Sequence, residues 1–448
     1  MENQGLDLTM GSVPKKLIRF AVPLLGANLL QSLYSIVDML VVGRVVGKVG
    51  LAAISNASMI SFIINSLCIG VTMGGTVLTA QYKGADDKQG QKETIGTLFS
   101  LSFIASIIVT IAGLLVYFPL FSLLHVPVEA MKDACGYMQV ICMGTVFVFG
   151  YNAVCSLMKG FGDSKSPLYF VAVAAMINVF LDLLLVGPMG MGTKGAAYAT
   201  VFSQGISLAV SVIHLKRKNF IFDFKLKSFA IQKEKMFIIL KIGLPTAAQM
   251  VIVNISYLLI TGMLNTFGVS AAAASGIGLK VNTFAGMPCW AIGQAVTAMA
   301  GQNMGAQDRE RVKKTTRYGL LINTFVTLIT VVLVQVFSES IIMLFDPAGT
   351  DVITQGVMYL RICCSINSLV YAVMYTLDSF AIGVGAANIA MFNAFLDAMI
   401  VRLPVCWFLA FAMHMGVLGI YIGQALSPIL PALAGAVYFR SKSWEEKN

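Results

Sequence analysis

Residues 17–42, LIRFAVPLLGANLLQSLYSIVDMLVV, make an apolar run long enough to cross a bilayer. Similar runs follow at 52–82, 94–118, 131–158, 167–187, 192–215, 238–265, 276–301, 317–338, 352–382, 388–412 and 415–439. With 57% hydrophobic and only 12% charged residues, the chain lies far from soluble domains, of which about 25% is charged. The fold class expected is an all-α polytopic membrane protein with twelve transmembrane helices. The first run follows Lys15 and Lys16, exceeds the apolar core of a secretory signal and lacks a small-residue cleavage site, so no cleavable leader is expected.

Charge sets the expected orientation. Most of the 31 Lys and Arg fall at the N-terminus, in loops near 83–93, 159–166, 216–241 and 308–317, and at the C-terminus. Arg44, Lys48, Lys132 and Lys194 lie on the other face, and Lys280, Arg361 and Arg402 lie within spans. Both termini are therefore expected in the cytoplasm, and the net charge of +10 needs no nucleic-acid partner. All eight cysteines fall in apolar segments, which argues against a disulfide scaffold, and no Cys/His spacing suggests a metal.

The longest polar interval, 216–237, lies at the midpoint. It divides the chain into an N-terminal half (1–215) and a C-terminal half (238–448). Its Phe and Ile residues alternate with Lys, a pattern open to a membrane-surface segment or a plain linker. Across it the sequence repeats at an offset near 222. LIRFAVPLL (17–25) matches ILKIGLPTA (239–247), which places Pro23 opposite Pro245; TVLTAQYKGADD matches TAMAGQNMGAQD; GFG (160–162) matches GVG (383–385); GTKG (192–195) matches GVLG (416–419). Six spans per half is an even number, so two parallel six-helix repeats around a central cavity are expected, an architecture suited to alternating access.

Asp38 lies in the first span, about 9 Å inside Arg44. An aspartate there costs several kcal/mol and normally has a function or a partner. Pro23, in the same span, frees a carbonyl one turn back and permits a bend. Asn178 and Asp182, four apart, share a helix face, and Thr200 of the following span falls in the same depth band. Two carboxylates, an amide oxygen and a hydroxyl suit a hard cation or a shared proton. The competing reading is coincidence in depth with different neighbours. In the second half Asp38 falls opposite Ile260. Asp397 and Arg402 are five apart, hence on different sides of an α-helix, each expected to pair with other helices. Asp378, near a span end within reach of water, reads as a gate residue or as structural. The 25 Met, 28 Phe and 14 Tyr provide adaptable surfaces for varied apolar cations, though most such residues pack or face lipid.

VDMLVVGRVVG after the first-span proline, GFGDSKSPLY (160–169) followed by NVFLD, and GTKGAAYAT together resemble the multidrug and toxic compound extrusion (MATE) antiporters over nearly the whole chain. In members with a first-half ion site, the resemblance implies coupling through Asp38 and Pro23, with Asn178, Asp182 and Thr200 matching the remaining positions. A second branch uses a Glu in span seven and an Asp in span ten. Here Gln249 follows Pro245 with no acid in span seven, so a second-half site is not expected.

The function expected is therefore export of amphipathic, cationic small molecules in exchange for H⁺ or Na⁺. No cofactor is expected, and Asp38, Asn178, Asp182 and Thr200 would be the metal ligands if the ion is Na⁺. A monomer in a prokaryotic cell membrane is expected, with only lipid and substrate as partners. The rival is a lipid-linked oligosaccharide flippase, whose pyrophosphate would need Lys280, Arg361 and Arg402. An intramembrane enzyme lacks a metal pattern or nucleophile elbow, and His125, His214 and His414 all lie at span ends. No GxxxxGK[ST] occurs, so an ion gradient is the expected energy source.

Overall fold

The computed structural model of the chain describes residues 5–123, 126–218, 220–345, 350–441 and 443–446; His125 lies outside them. Within these residues the regular structure is entirely helical. This is what a bilayer demands, because backbone N–H and C=O groups in hydrocarbon must find partners within their own segment.

The first repeat opens with α1 (Val13–Val45), α2 (Lys48–Gly84) and α3 (Lys88–Leu123). Two shorter helices, α4 (Val128–Met143) and α5 (Thr145–Gly160), form one span bent by 50°, and α6 (Lys165–Leu185) and α7 (Gly192–Arg217) follow. The second repeat runs through α8 (Lys233–Asn265), α9 (Val269–Gly305), α10 (Arg309–Val336) and the short α11 (Ser338–Met343). Its bent pair is α12 (Thr350–Cys363) and α13 (Ile366–Gly383), at 47°. One span then joins α14 (Ala387–Phe395), a π-helical turn at Leu396–Arg402, α15 (Leu403–Trp407) and a second π-helical turn at Phe408–Ala412. The last span holds α16 (Gly416–Leu426) and α17 (Ile429–Arg440).

Nine of these segments are long and apolar enough to cross a membrane, or eleven with each bent pair counted as one span, among the described residues. The twelfth expected span corresponds to α9. Its 37 residues are ample in length, but Lys280 and many small residues dilute its apolar character.

The repeat reaches down to backbone detail. Helices α1 and α8 each have 33 residues, and α2 and α9 each have 37. The left-handed positions recur in register: Asp86 (φ 52°) with Gln307 (φ 57°), and Gly162 (φ 83°) with Gly385 (φ 82°). A glycine at each of the last two positions lets the chain turn without the steric penalty that a Cβ brings there.

The chain forms two compact units, Met1–Leu8 with Val22–Ala247 and Thr9–Ala21 with Ala248–Asn448. The division cuts α1 one residue before Pro23 and α8 two residues after Pro245. The first turns of α8 thus belong to the first unit, where they lie close against α2. A Cβ on Gly74 would meet the Ile239 carbonyl oxygen at 2.2 Å, so only glycine admits this approach.

The segment between α7 and α8 also packs on the first unit. Phe222, Phe224 and Phe229 surround Phe99 of α3 at ring-centroid distances of 6.1–6.3 Å. The Ser100 hydroxyl donates to the Phe229 carbonyl at 2.6 Å, and the Gln232 amide N–H donates to the Thr97 hydroxyl at 3.1 Å. Most of the aromatic side chains in this segment are therefore used for packing on α3, while Leu226 stays 92% exposed. Asp223, in the same segment, accepts from the Ser228 hydroxyl, which holds its carboxyl below the usual range.

Because Phe222 is buried at the centre of this cluster, Phe222→Ala should cost about 3 kcal/mol or more of stability. Trypsin should then cut at the lysines of residues 216–233 well before it cuts the wild type. Unchanged proteolysis and thermal unfolding would show that the cluster does not hold the segment.

Candidate functional site

The first-unit acids and their neighbours come from four helices. Asp38 sits on α1, Asn178 and Asp182 on α6, and Thr200 on α7. Asn178 and Asp182 are buried, at 1% and 0% exposure, on the face of α6 that packs on α7. The Asn178 side-chain amide donates to the Thr200 hydroxyl at 3.5 Å. Asp38 acts electrostatically on Asp182, and both act on Tyr137 of α4. The structure thus brings the four residues expected from sequence into one neighbourhood.

Two tyrosines join them. Tyr34, one turn before Asp38, lies near Gln31 and Gln204. Its i, i+4 spacing from Asp38 makes it readable from sequence. Tyr137 comes from a helix remote in sequence, and no local pattern marks it.

The cluster lacks hydrogen bonds where it most needs them. Both carboxylate oxygens of Asp182, Oδ1 of Asp38 and Oδ1 of Asn178 are buried without a hydrogen-bond partner among the described residues. No Lys or Arg there forms an ion pair with either acid. Buried carboxylate oxygens left without donors cost several kcal/mol, a cost removed by a bound proton or a cation. The donor set, two carboxylates with an amide oxygen and a hydroxyl, has the all-oxygen character that hard cations take.

In the second unit the buried acids on the spans each have a partner, although Oδ1 of Asp397 is left without a hydrogen bond. Asp397 and Arg402 do not face different neighbours; they form an ion pair with each other. Five α-helical residues would separate them by roughly 140° around the axis. The π-helical turn at Leu396–Arg402, with its i→i+5 bonding, brings residues five apart onto one face. Arg402 also donates through Nε to the Ser427 hydroxyl at 3.3 Å, and its guanidinium lies 4.6 Å from the centre of the Tyr257 ring.

Asp378 is likewise not within reach of water. It is 2% exposed, and it accepts from the Asn393 side chain at 2.6 Å and from Gln249 at 3.4 Å. The span end that contains it is covered by α14 and α17. Arg361 is exposed on α12. Pro23 lies inside an unbroken α1, which continues for 22 residues beyond it. All eight cysteines are free thiols.

By class this is a multi-pass helical membrane protein, and buried ionisable groups on such spans mark functional positions. The MatE family profile matches residues 23–184 and 245–408, most of both repeats, and the chain belongs to this family. It is 29% identical over 446 residues to the probable multidrug resistance protein YpnP of Bacillus subtilis, covering 99% of this chain and 98% of that protein. The probable multidrug resistance protein YoeA of the same organism is 31% identical over 341 residues, 75% of this chain and 74% of that one. A crystal structure described as MATE in complex with MaL6 superposes with a TM-score of 0.93 over all of both chains, at 21% identity.

The second-unit ion pair yields a stability prediction. Asp397→Asn should destabilise the protein by about 3–5 kcal/mol, since it leaves Arg402 buried without a counter-charge. Combining Asp397→Leu with Arg402→Met should recover most of that loss in thermal unfolding. A single variant as stable as wild type would mean that the pair carries no such weight.

Proposed function

We propose that the chain is an ion-coupled secondary antiporter that exports amphipathic, cationic small molecules, with H⁺ or Na⁺ as the coupling ion. The observation that carries this reading is the set of buried oxygens of Asp38, Asp182 and Asn178 left without donors in the first unit. They supply negative charge and lone pairs and lack a positive partner among the described residues. The multidrug resistance proteins to which the chain is similar supply the substrate class.

In the proposed cycle the ion enters from outside and binds between Asp38 and Asp182, with the Asn178 amide oxygen and the Thr200 hydroxyl completing its shell. Neutralising the acids changes which packing of α1 is favoured, and α1 bends at Pro23, where the proline leaves one carbonyl without its helical partner. The bend displaces the substrate, and access passes to the other side of the membrane. An ion drives this change only by the difference in its affinity for the two states. Both termini are cytoplasmic in this scheme, and the protein works as a monomer in a prokaryotic cell membrane. The pyrophosphate-binding alternative is disfavoured because Arg402 is committed to Asp397.

The test is ethidium export by proteoliposomes under an imposed proton gradient or, separately, a sodium gradient. One gradient should drive export by the wild type, and Asp38→Asn should fall to the level of protein-free vesicles. Export under neither gradient, or an Asp38→Asn variant as active as wild type, overturns the assignment.

A further inference from the structure

The function just proposed leaves Arg361 without a role. Arg361 lines an open cavity of about 400 Å³ in the second unit, together with Glu339 of α11 and Ile353, Thr354, Val357 and Met358 of α12. The floor follows from helix periodicity. Ile353, Val357 and Arg361 recur every four residues, as do Thr354 and Met358, so one face of α12 carries an apolar strip that ends in a guanidinium. Glu339 and Arg361 are both exposed, and neither forms an ion pair among the described residues. They are thus opposite charges lining one cavity without neutralising each other. The neighbours in sequence are exposed and apolar, Val336 at 69% and Phe337 at 52%, as expected of a surface that meets lipid.

Depth places this cavity near a membrane interface. Three spans separate the start of α12 from the C-terminus, so that start lies on the opposite side from the terminus. Bent by 47°, the α12–α13 pair spans about 44 Å end to end against a hydrocarbon core of about 30 Å, leaving roughly 7 Å of overhang at each end. Arg361, about 16 Å past Thr350, then lies at most about 9 Å below the hydrocarbon boundary. From there an arginine reaches the headgroup level along its own aliphatic stem.

We propose that this cavity binds a zwitterionic phospholipid with a primary ammonium headgroup, of the phosphatidylethanolamine class, from the leaflet opposite the termini. The lipid phosphate meets the Arg361 guanidinium, whose planar fork matches phosphate oxygens. The ammonium donates to the Glu339 carboxylate, and an acyl chain covers Ile353, Val357 and Met358. One acid and one base select against an anionic headgroup, which Glu339 repels. They also select against choline, whose trimethylammonium has no N–H to donate. The inference depends on the chain spanning a membrane and not on ion coupling, so the two readings fail separately.

The experiment is native mass spectrometry of the detergent-solubilised full chain with phosphatidylethanolamine, phosphatidylcholine or phosphatidylglycerol of equal acyl length. Wild type should retain the ethanolamine lipid about tenfold more than either of the others, a ratio equivalent to about 1.4 kcal/mol. Glu339→Gln should erase the preference for ethanolamine over choline, and Arg361→Gln should lower retention of all three. Met358→Trp, which fills the apolar strip and leaves both charges in place, should lower ethanolamine-lipid retention in a protein with wild-type thermal unfolding. Equal retention of the three lipids by wild type overturns the proposal, as does a preference that survives Glu339→Gln. Displacement of the lipid by soluble glycerophosphoethanolamine at equal concentration overturns the lipid assignment in favour of a dissolved solute.

Discussion

A carboxylate buried on a membrane span must be answered by a donor, a counter-ion or a proton, and this requirement sorts the acids of the protein. Asp397 is answered by Arg402, and Asp378 by the side-chain amides of Asn393 and Gln249. Asp38 and Asp182 stand apart: three of their four oxygens are buried without a partner among the described residues. In a medium of low dielectric the difference amounts to several kcal/mol per group. It separates acids that hold structure from the two to which the proposed function assigns an ion. The distinction comes from the side chains around each acid.

Duplication makes the contrast sharper. The two repeats share helix lengths, bent pairs and left-handed turns in register, down to φ values of 83° and 82° at Gly162 and Gly385. Close contacts recur as well. Gly160 lies against the Thr76 carbonyl and Gly383 against the Thr297 carbonyl, each with a Cβ-to-oxygen approach of 2.7 Å that excludes any larger residue. The backbone plan was thus kept in both copies while the polar side chains diverged. The second copy has Ile260 opposite Asp38, and Ile260 is packed in an apolar core.

Much of this was legible in the sequence, and the reasons differ by element. Spans follow from apolar length, and the repeat from matched Pro, Gly and Gln positions, because glycine and proline record backbone geometry directly. Asn178 and Asp182 were placed on one face by α-helical spacing alone. The same rule failed at Asp397 and Arg402, where the chain departs from α-helical geometry and residues five apart meet. No composition signal distinguishes LDAMIVR from an ordinary turn of helix. Asp378 was misread for a different reason: distance from a span end gives depth, and it says nothing of the α14 and α17 helices that cover the residue. Tyr137 escaped because a contact between helices remote in sequence leaves no periodic trace.

The proline positions bear on how an ion at Asp38 could act at a distance. Pro23 and Asp38 are separated by 15 positions, about 22 Å along α1. No direct contact links them, so the helix itself must carry the effect. The compact units change over beside Pro23, and they do so again beside Pro245 of α8. A rotation of about 10° at Pro23 would move the Asp38 end by about 4 Å, enough to remake its contacts with α6 and α4. Read in the other direction, a small preference for one packing of Asp38 against Asp182 and Tyr137 selects between two angles at the proline. Helix α8 has the same proline but has Ile260 in place of the acid, so its angle has no charge to respond to. Both repeats have the proline at this position, and only the first has an acid on the same helix at which the proposed ion could act.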